Sequence, residues 1–307
     1  MKSLDLKTTT VSDMIRWGVS RMREAGVHYF YFGDIELLQT AHYLTFFSLN
    51  LPNDYQNPIY LTAKLEEREI SAIKDIFNKR IKERLPTPYI TNEYWYGPLS
   101  PQTKFFITKD VFVPRSPIYL NLKDFMKSVK WKNHRILDLG TGSGALGIIL
   151  ALLNPDVKVD LADICPKALK VAQVNVDRHS RPHQNRIYRD DLQERVKCIQ
   201  SNLFQNIKHK YDFIITVPPQ LSTEEYGAIV AESVHEPALS LRSGKDGLGH
   251  IKRIIDEAPD YLNPEGMLAA EIGHRLPNLI KSVYDHLKFE WFKYKDRDWI
   301  FTWRKNE

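Results

Sequence analysis

The 307-residue sequence predicts an α/β fold built on a doubly wound, mainly parallel sheet. Three observations predict it. From residue 126 onward, short apolar runs alternate with longer amphipathic stretches, the pattern of strands and helices in alternation. One strand–turn–helix unit runs from Arg135-Ile136-Leu137 through Asp138-Leu139-Gly140-Thr141-Gly142-Ser143-Gly144 and leaves through Ala145 to Leu153, with a glycine at every second position of its turn. Asp163 then closes the next strand, at the edge where such sheets take their ligands.

In chain order, Thr10 is placed to cap a helix carrying Val11, Met14, Ile15, Val19 and Met22 at helical spacing, with Gly26 placed to end it. Asp34 is placed to cap a second helix through Leu37, Leu38, Ala41 and Leu44, stopped by Pro52. A third is expected to open at Thr62, bury Leu65, Ile70, Ile73, Ile76, Phe77 and Ile81, and close before Pro86, since a residue preceding proline resists the helical region. None of the three carries a catalytic motif. Residues 1–92 read as a small helical domain that recognises a substrate, residues 93–125 as a β-hairpin linker, and residues 126–307 as the catalytic domain. The hairpin is expected between Phe105–Ile107 and Val111–Val113. Beyond it, strands are expected at Arg135–Leu139, Val157–Ile164, Arg195–Ser201, Tyr211–Thr216, Met267–Ile272, Trp291–Lys295 and Trp299–Arg304, with helices at Ser143–Leu153, Pro166–Arg178, Leu248–Tyr261 and Pro277–Leu287.

Hydrophobic residues at 43% and charged residues at 26% are ordinary for a globular protein. The first dozen residues lack the apolar core of a signal peptide, and no apolar run is long enough to span a bilayer, so a cytoplasmic protein without a membrane role is expected. Cys165 and Cys198 form no disulfide framework and no CxxC pair, and both read as core thiols. The ten histidines show no HExxH and no cluster with cysteine, so no metal is expected. The net charge of +5 gathers in Lys79–Arg84, in Arg178–Arg189 and in Lys208–Lys210. Solvated helix faces are the favoured reading of these runs; an RNA-binding surface is the other.

Two features identify the ligand of the glycine turn: its own spacing, and the carboxylate on the next strand. D-x-G-x-G-x-G is not the G-x-G-x-x-G of dinucleotide binders, which needs its third glycine later. The helix after the turn offers unpaired N–H groups and a positive dipole end to an anion. Asp163 can accept hydrogen bonds from both hydroxyls of a ribose. An adenosyl group at one end and a carboxylate at the other describe S-adenosylmethionine, expected against Asp138, Gly140, Thr141, Gly142, Ser143, Gly144 and Asp163. Arg115, held between prolines in Pro114-Arg115-Ser116-Pro117, is a candidate rim residue.

The chain resembles the bacterial protein-(glutamine) N5-methyltransferases, and among them the branch acting on a large-subunit ribosomal protein. The resemblance is carried by Val113-Pro114-Arg115-Ser116-Pro117-Ile118, Asp138 to Gly144, Asp163-Ile164-Cys165-Pro166-Lys167-Ala168-Leu169, Asn175, His235-Glu236-Pro237, Gly244-Lys245-Asp246-Gly247-Leu248 and Glu271-Ile272-Gly273. It reaches back to Ile15-Arg16-Trp17 and Ala25-Gly26 in the helical domain. It implies a class I, Rossmann-like methyltransferase fold, methylation of a glutamine side chain with S-adenosylmethionine, and a ribosomal protein as partner.

The family's defining motif is Asn-Pro-Pro-Tyr after the fourth strand; here the position reads Val217-Pro218-Pro219-Gln220. In the family the Asn side chain and a backbone carbonyl take the two amide hydrogens, which turns the nitrogen lone pair toward the methyl group. Val217 has no side-chain acceptor. By analogy with an oxyanion-hole donor, losing one such bond costs about 2–4 kcal/mol of barrier. Gln220 also replaces an aromatic wall by a flexible amide. Near the adenine the family has Asp in S-D-L-F, where this chain has Ser201-Asn202-Leu203-Phe204, and Asn202 is expected to bind more weakly. Ile118 is followed by Tyr119-Leu120-Asn121-Leu122, without the acid many relatives carry. His235, Glu236 and Glu271 are expected to order loops rather than move protons, because methyl transfer to an amide needs no strong base beforehand. Three functions stay open on these residues: an S-adenosylmethionine-dependent methyltransferase with an altered acceptor, including an amine of a small metabolite; a silent paralogue binding cofactor or a ribosomal protein; and a nicotinamide-dependent oxidoreductase, against which the glycine spacing argues.

Overall fold

The computed structural model describes residues 9–27, 34–52, 58–95, 103–115, 118, 134–180, 191–273, 275–294 and 298–305. The chain divides into two compact units, residues 1–92 with 230–235, and residues 93–229 with 236–307.

The first unit is helical: α1 (Val11–Glu24), α2 (Asp34–Ser48), α3 (Pro58–Leu61), α4 (Glu67–Ile81) and α5 (Thr87–Thr91). Thr10 opens α1 with a reciprocal cap, its hydroxyl accepting from the Asp13 amide (3.2 Å) while the Asp13 carboxylate accepts from the Thr10 amide (3.0 Å). Met14, Met22, Leu44, Phe46, Ile73 and Phe77 fill its core. The helix expected from Thr62 begins five residues later. Residues 63–65 are extended instead, because Leu65 N–H donates to Thr9 (3.0 Å) and the Ala63 carbonyl accepts from Val11 (3.1 Å). Part of the basic run Lys79–Arg84 is internal. Arg80, 2% exposed, lies 3.1 Å from the fully buried Glu232 carboxylate. Arg84 lies 2.9 Å from the same group and donates to the carbonyls of Ala25 (2.8 Å) and Gly26 (2.9 Å). These two charges hold the packing together and are not part of a surface for RNA. Lys208, His209 and Lys210 are exposed, and residues 181–190 of the second basic run lie outside the described residues.

The second unit opens with an antiparallel pair, β1 (Glu93–Trp95) and β2 (Lys104–Phe106). This corrects the expected hairpin. Val111–Val113 forms no strand, because residues 108–111 turn (Val111 N–H to Thr108 carbonyl, 3.2 Å) and Val113 N–H donates to the Glu236 carboxylate (3.2 Å). The main sheet follows with β3 (Arg135–Leu139), α6 (Ala145–Leu153), β4 (Lys158–Asp163), α7 (Pro166–His179), α8 (Leu192–Arg195), β5 (Val196–Gln200), β6 (Tyr211–Thr216), α9 (Thr223–Gly227), α10 (Gly249–Tyr261), β7 (Leu262–Gly273), α11 (Leu276–Val283), β8 (Glu290–Tyr294) and β9 (Asp298–Arg304). The strand order is β5-β4-β3-β6-β7-β9-β8. The first five are parallel; β9 runs antiparallel to both β7 and β8. Chain order reverses between β3 and β6, so the crevice at their carboxyl ends is where a ligand is expected.

Burial explains why these strands form. Ile136, Leu137, Leu161, Ile214, Leu268 and Ala270 lie in the sheet with exposures of 0%. Strands buried on both faces read as continuous apolar runs, which these do. Cys165 and Cys198 are half-buried free thiols, not core residues: Cys165 sits at the start of α7, ahead of Pro166, and Cys198 on the edge strand β5. Among the described residues no helix is long and apolar enough to cross a membrane. Among the same residues no group of His, Cys, Asp and Glu is arranged to hold a metal ion.

Candidate active site

The glycine turn leaves β3 at its carboxyl end. Gly140, Gly142 and Gly144 all have positive φ (+74°, +55° and +79°), a conformation that side chains with a Cβ resist. A Cβ on Gly140 or Gly142 would meet nothing within 4 Å, so the turn presents bare backbone to open space. The amides of Gly140 and Thr141 both donate to the Ala162 carbonyl on β4 (2.8 and 2.9 Å), which fixes the turn across the top of the neighbouring strand.

Two carboxylates hold the turn in place. Asp138 is 2% exposed and lies beneath it; its Oδ2 accepts from Thr141 Oγ1 (2.6 Å) and from the Gly147 amide in α6 (2.9 Å). Burial pushes its carboxyl up to about 6. Asp138 braces the turn from below. Asp163 is half-buried at the end of β4, with Oδ2 accepting from the Gly142 amide (2.8 Å) and Oδ1 from the Cys165 amide (2.9 Å). Burial raises its carboxyl above the usual range, against the pull of those amide hydrogen bonds. Each carboxylate oxygen has a second lone pair, so one residue serves as strand-end cap and keeps acceptor capacity for two ribose hydroxyls.

Asn202 is exposed beyond β5, and its Oδ1 accepts from Arg253 Nη1 of α10 at 3.3 Å. The bend that presents it is built by Ser201, whose hydroxyl donates to the Leu203 carbonyl (2.6 Å) and accepts from the Asn206 amide (2.9 Å). Asn175 is legible in the sequence only through the resemblance. Fully buried on the apolar face of α7, its Oδ1 accepts from the Phe106 amide (2.6 Å) and its Nδ2 donates to the carbonyls of Phe106 (2.9 Å) and Ser143 (2.8 Å). It ties β2 to the glycine turn.

Across the crevice, Val217-Pro218-Pro219-Gln220 leaves the carboxyl end of β6. Thr216 anchors this exit, its hydroxyl donating to the Leu139 carbonyl on β3 (2.7 Å). The carbonyls of Val217 and Pro218 accept no hydrogen bond among the described residues. The amides of Gln220 and Leu221 donate to Leu241 (3.1 and 2.8 Å), and the Ser243 amide returns to Leu221 (2.8 Å). The Gln220 side chain reaches the end of β7, where its Oε1 accepts from the Gly273 amide. Behind it, Arg275 grips Glu225 through Nε (3.0 Å) and Nη2 (2.9 Å). Burial would raise the Glu225 carboxyl, but those bonds and the Ser222 cap hold it at about 2.

The expected rim residue is engaged elsewhere. Arg115 Nη2 donates to the buried Glu236 Oε2 (2.7 Å), its Nη1 to Oε1, and its guanidinium stacks 3.8 Å from the Phe112 ring centre. Arg115 therefore shapes the loop after Phe112. The Ile118 amide donates to the buried Glu271 on β7 (2.7 Å). Two buried carboxylates thus hold the two ends of residues 113–118. His235 Nε2 lies 2.8 Å from the Glu83 carbonyl.

The arrangement offers a cradle for an adenosyl group and an anion on one side and a slot with free carbonyls on the other, as a group transfer needs. The family model of the methyltransferase small domain matches residues 121–247, from ahead of β3 to the loop before α10. The ribosomal protein uL3 glutamine methyltransferase of Neisseria gonorrhoeae is 36% identical over 288 residues, 93% of this chain and 90% of that protein. The one from Neisseria meningitidis serogroup A is also 36% identical, over 93% of this chain and 89% of its own length. Among solved structures, the hMettl16 catalytic domain in complex with a MAT2A 3'UTR hairpin superposes with a TM-score of 0.52 at 14% identity, covering 86% of this chain and 93% of that one, and shows the fold. The strand order, the glycine cradle and a 36% identity that runs through both units lead to one conclusion: the chain belongs to the family of the ribosomal protein uL3 glutamine methyltransferases and is an S-adenosylmethionine-dependent methyltransferase.

Proposed function

We propose that this enzyme methylates the side-chain amide of a glutamine in ribosomal protein uL3. The observation that carries the proposal is the 36% identity over 93% of the chain, which includes the helical unit as well as the catalytic one. On this reading the helical unit recognises the ribosomal protein, and the enzyme works in the cytoplasm, where ribosomes are built.

S-adenosylmethionine supplies a methyl group made electrophilic by its sulfonium. The residues present fit it. Gly140 and Gly142 present the open backbone of the cradle, Thr141, Ser143 and Gly144 shape the turn around them (Gly144 packs against Ala172 of α7), and the amino end of α6 would face a carboxylate. Asp163 takes the ribose hydroxyls and Asn202 the adenine edge. Asp138 and Arg115 act one step back, by shaping the turn and the rim. Val217, Pro218, Pro219 and Gln220 line the acceptor slot. The free carbonyls of Val217 and Pro218 accept the amide hydrogens and orient the nitrogen. That nitrogen would take the methyl group, with S-adenosylhomocysteine as the leaving group, and the methylated amide would lose its surplus proton to water. A buried base is not required, in keeping with the engagement of Glu236 and Glu271 by loop amides.

The test is transfer of labelled methyl from S-adenosylmethionine to purified uL3, followed by peptide mass spectrometry. One methylated glutamine is the expected product. Binding of S-adenosylmethionine by calorimetry without transfer to uL3 would refute the acceptor while leaving the cofactor in place.

A further inference from the structure

Gln220 has a defined orientation that its sequence position does not reveal. The Gly273 amide can only donate, so the side-chain atom facing it is Oε1 and the opposite atom is Nε2. Nε2 donates to no group among the described residues, although Gln220 is half-buried. Its backbone is fixed independently, by the Leu241 carbonyl at 3.1 Å. Gly273 ends β7 and Val217 follows the end of β6, and these strands are parallel neighbours. The Gln220 amide therefore lies over the carboxyl edge of the sheet, with its oxygen tied down and its two N–H donors available.

We infer that Gln220 is a specificity-determining residue of the acceptor slot, whose Nε2 donates to the carbonyl oxygen of the acceptor amide. The inference rests on the proposed glutamine acceptor and deepens it. A primary amide presents two N–H donors and one carbonyl acceptor. Val217 removes a side-chain acceptor for the N–H groups, and the Val217 and Pro218 carbonyls remain to receive them. A donor from Gln220 fixes the third point, so the amide plane is set by its oxygen as well as by its hydrogens. A slot built this way rejects acceptors without an adjacent carbonyl, such as simple amines, because such a group would take water from the Nε2 donor without pairing it.

Gln220→Glu isolates the donor. A carboxylate keeps the length of the side chain and still accepts from Gly273, but it cannot donate. Transfer to uL3 is expected to fall by about ten- to a hundred-fold in kcat/KM, the range of one hydrogen bond in a partly desolvated site. Binding of S-adenosylmethionine by calorimetry should be unchanged. Gln220→Met should lose as much. If Gln220 only ties its loop to β7, Gln220→Glu stays active and Gln220→Met does not; that pattern overturns the inference. Wild type that binds S-adenosylmethionine but does not methylate uL3 overturns the acceptor reading and the inference with it, whereas active wild type with active Gln220→Glu overturns the inference alone.

Discussion

Gly247→Ala should cripple methyl transfer while sparing the cofactor. Gly247 has φ +79°, and a Cβ there would stand 2.5 Å from the Gln220 carbonyl oxygen, 2.7 Å from Arg275 Nη2 and 3.2 Å from the Ser222 amide nitrogen. The left-handed conformation costs a residue with a Cβ about 1–2 kcal/mol. Overpacking adds about 1–3 kcal/mol. Arg275 is not free to swing away, since Glu225 grips it through two bonds. The acceptor segment must therefore yield, and a misplacement of about 1 Å at a reacting group costs on the order of a hundred-fold in rate. The glycine turn, held by Ala162 on the other side of the crevice, should be untouched. Gly244→Ala is the matched control: its φ is +84°, but its Cβ would meet nothing within 4 Å, so it carries the conformational cost without the contact. The assay is kcat/KM for uL3 beside S-adenosylmethionine affinity by calorimetry. Equal losses in the two variants, or wild-type transfer by Gly247→Ala, would refute the reasoning.

Asn175→Ala should destabilise the catalytic unit by about 2–4 kcal/mol, because it strands the Phe106 amide and two buried carbonyls, and it should weaken S-adenosylmethionine binding; chemical denaturation and calorimetry check both. The Asp138 carboxyl stands at about 6 in the fold against its ordinary 3.8, so the folded state holds the extra proton between those values. Its contribution thus weakens as pH rises through that window, by about 3 kcal/mol in all, and Asp138→Asn should be at least as stable as wild type near neutrality, with the difference shrinking on acidification; denaturation midpoints against pH decide. Glu225 is the opposite case, held at about 2 against 4.5, so its pairing stabilises above that window and fades as pH falls through it. The pair is about one-third exposed (34% and 37%), so Arg275→Ala should cost only about 1 kcal/mol near neutrality, with the deficit vanishing in acid on the same denaturation measurement.

Much of the sheet was legible in the sequence because burial on both faces leaves a direct mark. Ile136-Leu137 and Phe213-Ile214-Ile215 could not sit comfortably elsewhere, and the observed strands match the expected ones within a residue or two there. The misjudged elements are those decided by distant backbone. Residues 63–65 carry a helical pattern, yet they pair with Thr9 and Val11, which no local rule encodes. Lys104–Phe106 pairs with Glu93–Trp95, earlier in the chain, and not with the expected Val111–Val113. The same division holds in the site. The glycine turn and Asp163 announce themselves because their chemistry is compressed into one short strand–turn–helix–strand stretch. Asn175 meets Phe106 across 69 positions, and Gln220 meets Gly273 across 53, so their roles exist only in the fold.

The two halves of the crevice are also held by different means. The cofactor half is braced by groups belonging to β3, β4, α6 and α7, with Asp138, Asp163 and Asn175 each satisfying backbone amides or carbonyls of the turn and the helix it opens. The segment after β6 is held mostly by backbone: Leu241 receives Gln220 and Leu221, and Leu221 receives Ser243, with the Thr216 hydroxyl anchoring the exit of β6 on the Leu139 carbonyl. None of these bonds uses the side chain of Val217 or Gln220. The path of the segment is thus set apart from the side chains of Val217 and Gln220, and on the proposed function these two positions decide what the slot reads without moving the walls that carry it. Gln220 then gains a fixed orientation from one further bond, to Gly273 at the end of the neighbouring strand. On the proposed function, recognition of the acceptor is therefore set at Val217 and Gln220, over a segment whose path is fixed by main-chain bonds and the Thr216 hydroxyl.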